Sequence, residues 1–231
     1  MPDHVTGFPP IEHALEQPDG LLAIGGNLKV DTLLMAYQRG IFPWFNEGDP
    51  ILWWSPSPRM VLVPGHLHLS RSLQKLLRKN RYQVTFDHDF PAVINACANS
   101  RRSSEGTWIT DEMITAYTAL HNAGYAHSIE VWREGKLVGG LYGVAQGRVF
   151  FAESMFSSES NTSKIAMTAL SEQLLAWQFK LIDCQVYSDH LDSLGARQIS
   201  RAMFHDYLKR YCSLTSSCAN WKQEWQWNDL R

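Results

Sequence analysis

The sequence predicts an α/β fold of the α+β kind: a small N-terminal domain over residues 1–64, then a larger domain over 65–231 built on a mixed, mostly antiparallel, splayed sheet. Three observations predict it. The runs HSIEVWR, KLVGGLYGVAQG and RVFFAESMF follow one another across short turns, Glu134-Gly135 closing the first, as consecutive antiparallel strands do. An amphipathic helix then leads to LIDCQVY, an almost unbroken apolar run that suits a central strand beside the third. Before residue 64 the chain is dense in prolines, glycines and aromatics, the composition of a stiff, turn-rich unit.

Hydrophobic residues make up 45% of the chain and charged ones 19%, ample for a globular core. No apolar run approaches the roughly 20 residues needed to cross a bilayer, and MPDHVTGFPP lacks the basic and apolar regions of a signal peptide. A cytoplasmic monomer with no membrane partner is expected. Cys97, Cys184, Cys212 and Cys218 form no CxxC pair and the nine histidines no HExxH, so reduced thiols are expected and a metal site is not. With a net charge of −2, any nucleic-acid contact must come from a local basic patch. The nine tryptophans supply core, but also rings able to stack on a base.

Taken in order, Pro18-Asp19-Gly20 and Gly25-Gly26-Asn27 mark turns. Asp31 is placed as the N-cap of a helix that stops at Gly40 and buries Leu33, Leu34 and Tyr37. Prolines stiffen IFPWFNEGDPILWWSPSPR, which holds Trp44, Trp53 and Trp54; for the last two a core position is the plainer reading. MVLVP (60–64) reads as a strand that ends the first domain. Ser70 can cap a helix whose buried stripe is Leu73, Leu76 and Leu77. Its other faces carry Arg71, Lys75, Arg78 and Lys79, followed by Arg81, with no acid among them; this is a solvated face or a phosphate-binding one.

YQVTF is a short strand, and Asp89 caps a helix with Pro91 in its first turn. Arg101 and Arg102 are placed in a polar loop before GTWIT. Thr110 caps the next helix, whose stripe is Met113, Ile114, Tyr117 and Leu120. Gly139, Gly140 and Gly143 are costly inside a strand and predict a bulge or a close approach there. Thr162 or Ser163 caps the helix bearing Ile165, Met167, Leu170 and Leu174. HLDSLGARQI and a helix near 201–211 close the domain, and the tail NWKQEWQWNDLR carries no strong signal.

Two carboxylates break the pattern. Glu153 and Asp183 lie in otherwise apolar strand segments, where an acid is expensive unless it has a partner or a task. Asp183 and Gln185 are two apart on one strand, so their side chains share a face. From residue 82 the order β-α-α-β-β-β-α-β-α resembles the Gcn5-related N-acetyltransferase fold, in which an acyl donor lies where the third strand and the LIDCQVY strand part. Acetyl-CoA enzymes of that fold carry a (Q/R)xxGx(G/A) loop that cradles pyrophosphate on backbone N–H groups. Here the position reads FSSESNTSKIAM, without a glycine, so CoA is not expected, nor any other cofactor. An acyl donor that is itself a nucleic acid fits the missing loop, the basic helix and the tryptophan loops together.

The runs PDGLLAIGGNL, LLMAYQRGIFPWF, ILWWSPSPR, EGTWIT, HSIEVW, GGLYGVAQG, FFAESMFS and LIDCQV with LGA closely resemble the leucyl/phenylalanyl-tRNA–protein transferases, from about Phe8 to about Tyr211. The resemblance implies transfer of Leu or Phe, and less readily Met, from aminoacyl-tRNA to the N-terminal amine of proteins or peptides that begin with Arg or Lys, creating a bacterial degradation signal. It further implies that Asp183 and Gln185 orient or deprotonate the amine and that Glu153 lies near the ester. By the same resemblance Trp44 and Trp108 flank the 3′-terminal adenosine, while Leu141, Phe150 and Met167 line the amino-acid pocket. Arg71, Lys75, Arg78, Lys79 and Arg81 are then expected to hold the acceptor stem without reading its sequence. An acetyl-CoA-dependent N-acetyltransferase and a non-catalytic RNA-binding module are the alternatives.

Overall fold

The structure is a computed structural model in which residues 7–102, 108–215 and 220–227 are described. The chain opens with a 3-10 turn at Ile11–His13, then β1 (Leu21–Ile24), α1 (Val30–Gln38), β2 (Phe42–Pro43) and β3 (Leu52–Trp54), the three strands pairing antiparallel in the order β1-β3-β2. Trp53 is buried, as a core position requires, and its Nε1 donates to Gly25 O at 2.8 Å. Asp31 does not cap α1. The helix starts at Val30, and Asn27 serves its entry by accepting from Lys29 N (3.0 Å) and Thr32 Oγ1 (2.8 Å). An Asx side chain bonding a backbone two residues on competes well for such a turn.

Then follow β4 (Arg59–Leu62), α2 (Arg71–Arg78), β5 (Gln83–Phe86), α3 (Phe90–Arg102), α4 (Asp111–Asn122), β6 (Ala126–Arg133), β7 (Lys136–Gln146) and β8 (Val149–Ser157). The chain ends with α5 (Thr162–Ala176), β9 (Leu181–Gln185), α6 (Asp189–Ser193), β10 (Arg197–Ile199), α7 (Arg201–Tyr211) and β11 (Gln223–Trp225). Eight strands form one sheet in the order β10-β4-β9-β8-β7-β6-β5-β11; every neighbouring pair is antiparallel except β8 and β9. This is the mixed, mostly antiparallel sheet expected from the order of runs. Ser70, Asp89 and Thr110 cap α2, α3 and α4 as predicted, each side chain accepting a backbone N–H three residues on.

Four details differ from expectation. The strand expected at 60–64 is β4, and it pairs inside the large sheet between β10 and β9. The helix α3 runs through Arg102, two residues into the expected loop. Neither Thr162 nor Ser163 caps α5; Asn161 precedes it at φ 70°, and Thr162 Oγ1 instead donates to Val138 O at 2.9 Å. The tail supplies β11, which covers the outer edge of β5, and Trp221, which stacks on His127 at 3.9 Å between ring centroids. No helix among the described residues is long and apolar enough to cross a membrane.

The sheet has a core on each face. One cluster joins the N-terminal segment, α1, α3, α4 and α7 to Tyr142, Val144 and Phe151; the other joins α2 and α5 to Leu141, Phe150 and Ile182. Side chains alternate between the faces, so each strand feeds both. Two glycines permit the packing: a Cβ on Gly139 would stand 2.3 Å from Thr162 Oγ1, and one on Gly143 2.2 Å from Phe151 O. These are the close approaches that the glycines predicted.

The parallel pair β8–β9 holds for only three residue pairs, Val149↔Leu181 to Phe151↔Asp183, although β8 runs on to Ser157. Both strands turn irregular where they part. On β8, Ala152 and Ser154 oppose the adjacent Gly143 and Tyr142, leaving Glu153 as an extra residue. On β9, Asp183 and Gln185 oppose the adjacent Val61 and Met60, leaving Cys184 extra, and Gln185 adopts φ 64°. A bulge bends its strand and raises the local twist, so two bulges side by side open the sheet.

Candidate active site in the splay of the sheet

A cavity of about 330 Å³ occupies the gap. Its walls are Phe42 to Trp44 from the proline-stiffened loop, Trp108, Leu141 on β7, Ala152 to Met155 on β8, Cys184 to Val186 at the end of β9, and Ser188, His190 and Leu191 at α6. Phe42 and Trp108 belong to one core cluster, whereas Leu141, Cys184 and Leu191 belong to the other. The walls of the gap therefore draw on both core clusters. Mostly apolar walls carrying few polar groups describe a small-ligand site.

Glu153 is the carboxylate of that cavity. Gln185 Nε2 donates to its Oε1 at 2.8 Å and Tyr117 Oη to its Oε2 at 2.9 Å, and the hydroxyls of Tyr37 and Tyr117 bond to each other behind it. The bulge turns Glu153 toward the side where α1 and α4 supply these tyrosines. Burial pushes its carboxyl up to about 7; the hydroxyls of Tyr37 and Tyr117 pull it down, the charge of Asp183 pushes it up, and Arg59 pulls it down. A carboxyl held there exchanges a proton near neutrality.

Asp183 does not reach the cavity. It is fully buried and takes a two-pronged ion pair from Arg59, Nε to Oδ1 at 2.8 Å and Nη2 to Oδ2 at 2.6 Å. Its Oδ1 also accepts the backbone N–H of Gln185 at 2.9 Å. The guanidinium lies between the rings of Phe42 and Phe204, 4.8 Å and 4.7 Å from their centroids. The expected common face of Asp183 and Gln185 is not kept, because the bulge at Cys184 shifts the alternation. The two are joined instead by the Gln185 N–H on Asp183 Oδ1, and only Gln185 lines the cavity. Arg59, Tyr37 and Tyr117 were not singled out from sequence. The available signals were a cation opening an apolar strand, and two hydroxyls on inward helix stripes that needed partners.

Of the other expected site residues, Trp44, Trp108 and Leu141 line the cavity. Phe150 and Met167 lie outside its walls, fully buried in the cluster on the α5 side. Arg71, Lys75, Arg78, Lys79 and Arg81 are exposed on and just after α2, opposite the buried Leu73 and Leu77. Cys184 faces the cavity, but burial, then the charge of Asp183, raises its thiol far above the usual range, so it is not poised as a nucleophile. Cys97, Cys184 and Cys212 are free thiols, and Cys218 lies outside the described residues. The site can hold an amine beside a proton acceptor and bring it to an electrophile lodged in the crevice, a direct transfer rather than a covalent relay through sulfur.

A family profile described as leucyl/phenylalanyl-tRNA protein transferase matches residues 61–209, and the profile of the N-terminal domain of the same proteins matches residues 26–57. The chain is 60% identical over 209 residues to a leucyl/phenylalanyl-tRNA–protein transferase of Pseudomonas fluorescens Pf-5, covering 90% of this chain and 92% of that one. Relatives of the same name from Azotobacter vinelandii and Nitrosospira multiformis are each 58% identical over 214 residues, covering 93% of this chain and 94% and 92% of theirs.

Proposed function

The chain belongs to the leucyl/phenylalanyl-tRNA protein transferase family, and from that premise we propose that it moves leucine or phenylalanine, and less readily methionine, from tRNA onto the α-amine of proteins beginning with Arg or Lys. The reaction marks those proteins for degradation, and its charged-tRNA donor places it in the cytoplasm. The observation that carries this reading is Glu153, a cavity carboxyl held near pH 7 within reach of Gln185.

The chemistry asks little of the protein. An aminoacyl ester is already activated, so holding amine and carbonyl together supplies much of the acceleration. The acceptor α-amine, with a pKa of roughly 7.7–8.0, needs only a mild base. Glu153 takes the proton as the amine nitrogen attacks the ester carbon; the carbon–oxygen bond to the ribose then breaks, and Glu153 returns the proton to the departing 3′ oxygen. Gln185 orients the amine. Asp183, neutralised by Arg59, holds Gln185 in place and is not the base. This division of labour is favoured by burial, since Glu153 and Gln185 line the cavity and Asp183 stands behind it.

The apolar end of the crevice, with Leu141 in its wall and Phe150 and Met167 packed behind, receives the leucine or phenylalanine side chain. Trp44 and Trp108 stack with the terminal adenosine, and the basic residues of α2 hold the acceptor stem through its phosphates. The test is a donor swap. Purified protein and one Arg-initiated peptide are offered labelled Leu-tRNA or acetyl-CoA. Leucine incorporation from tRNA alone is the expected result; acetyl transfer without leucine transfer would overturn the reading.

A further inference from the structure

Arg59 ends the rigid SPSPR segment and opens β4, which lies directly beside β9. Its side chain does not reach the cavity, yet it is tied to the residues that do. The fork on Asp183 fixes both carboxylate oxygens, and one of these oxygens holds the backbone N–H of Gln185. That residue sits at φ 64°, a left-handed conformation that a side chain larger than glycine or Asn adopts only when its surroundings hold it. From there its amide reaches Glu153 Oε1. One chain of contacts thus runs from the guanidinium to the cavity carboxylate.

Stability alone is a poor explanation for the pair. Two buried charges lose hydration on folding, and apolar residues of similar volume commonly replace such a pair at no cost. The guanidinium is also left incompletely satisfied, since its Nη1 has no hydrogen-bond partner among the described residues. Its plane is fixed instead by the rings of Phe42 and Phe204, and Phe42 is itself a wall of the cavity. Such a clamp constrains orientation more than it lowers energy.

We infer that Arg59 is a positioning residue for the transfer reaction: through the oriented Asp183 carboxylate it holds Gln185 in its left-handed conformation and so sets the amide that faces the acceptor amine. The inference rests on the transferase reading above and adds to it a residue that never touches substrate.

The test uses the full chain with Leu-tRNA and an Arg-initiated peptide. Arg59→Lys keeps the charge and loses the fork. We expect kcat to fall about 10- to 100-fold, with KM for Leu-tRNA within about threefold of wild type and the circular dichroism spectrum retained. Asp183→Asn should lose a similar factor, and the double variant should be no slower than the slower single by more than about threefold, because both act through one contact. A folded Arg59→Lys protein with kcat within about threefold of wild type, or losses that multiply in the double variant, overturns the inference. Should Arg59→Lys fail to fold, Phe204→Leu carries the test. It loosens one face of the clamp and leaves the pair, so a kcat loss above about threefold is expected and an unchanged kcat is disproof.

A readout free of turnover separates this inference from the functional reading. The side-chain amide resonances of Gln185 in labelled protein should shift and broaden in Arg59→Lys. Unmoved resonances defeat the positioning role whatever the activity, whereas a wild-type protein that transfers no leucine defeats the functional reading alone.

Discussion

Gln185 Nε2 donates to Glu153 Oε1 across 2.8 Å, and each of the two lies at the irregularity of its strand. Glu153 is the extra residue of the bulge on β8, and Gln185 leaves β9 at a positive φ. Had both strands stayed regular, the parallel ladder would continue past Phe151 and Asp183 and close the gap between them. The same two distortions therefore open the crevice and aim the two polar groups into it. Bulges re-aim side chains in this way beside many active sites.

The first prediction sets stability against activity at Glu153. Its folded carboxyl titrates near 7 and its unfolded one near 4.5, so between those values the folded state binds the extra proton and stability falls as pH rises. Glu153→Gln removes that penalty. Above pH 7 the variant should be more stable than wild type by up to about 3 kcal/mol, the difference vanishing toward the unfolded carboxyl's pKa. Leucine transfer should fall at least about 100-fold. Urea unfolding at pH 5 and 8 measures the first claim, and a variant that transfers leucine at near wild-type rate contradicts the second.

A second prediction concerns pH and Tyr117. Deprotonation of Glu153 should make kcat/KM rise with pH through a midpoint near 7. Tyr117 Oη donates to the carboxylate and so favours the ionised form. Tyr117→Phe should move the midpoint to higher pH and lower the rate below it, while the plateau changes less. A midpoint that stays put, or moves to lower pH, removes Glu153 from the titrating step.

Much of this arrangement was legible in the sequence, for reasons that also explain what was not. Alternation gave β6 to β8, the apolar run gave β9, and two costly acids in apolar strands drew attention to Glu153 and Asp183. Long-range pairing leaves no such local trace. Nothing near Arg59 announces a partner 124 positions later, or that β4 belongs to the large sheet. The tail failed differently: three residues of strand and one buried tryptophan make too short a pattern to carry periodicity. Of the residues expected to line the pocket, Leu141 faces the gap, while Phe150 and Met167 lie outside its walls in the core. The strand phase was readable, but the bulge that shifts it was not.

The third prediction addresses the tryptophan wall. Trp44 is 45% exposed, lines the cavity and has its ring tilted 56° to that of Trp54, 5.8 Å away. A ring so placed contributes little to folding and remains available to a base. Trp44→Ala should weaken Leu-tRNA binding about 10- to 100-fold, the factor expected for one lost base stack. Its melting curve should barely move. Unchanged binding to charged tRNA would place the adenosine elsewhere.

The fourth concerns α2. Arg78→Glu with Lys79→Glu reverses two exposed charges on the face opposite Leu73 and Leu77. If the acceptor stem lies there, tRNA affinity falls for every charged tRNA alike, and the slope of log affinity against log salt becomes shallower by about 1–2. Filter binding between low and moderate salt reads both effects. An unaltered slope moves the stem off this helix.

The last prediction takes the tail, whose weight in the fold exceeds its weak sequence signal. Trp221 is buried with its ring stacked on His127 at 3.9 Å, and Trp177, Phe150, Phe179 and Phe86 surround it at centroid distances of 4.8, 5.8, 6.0 and 6.4 Å. Beyond it β11 pairs Gln223 to Trp225 with Phe86 to Val84, covering a strand edge that would otherwise be open to another chain. Trp221→Ala should cost about 3–5 kcal/mol by urea unfolding, the usual price of emptying a large aromatic site. Strands β5 to β8 separate β11 from the crevice, and none of the rings around Trp221 is among the crevice walls, so transfer by the folded fraction at low temperature should stay within about threefold of wild type. A stability loss below about 1 kcal/mol would show that the tail packs without anchoring the sheet.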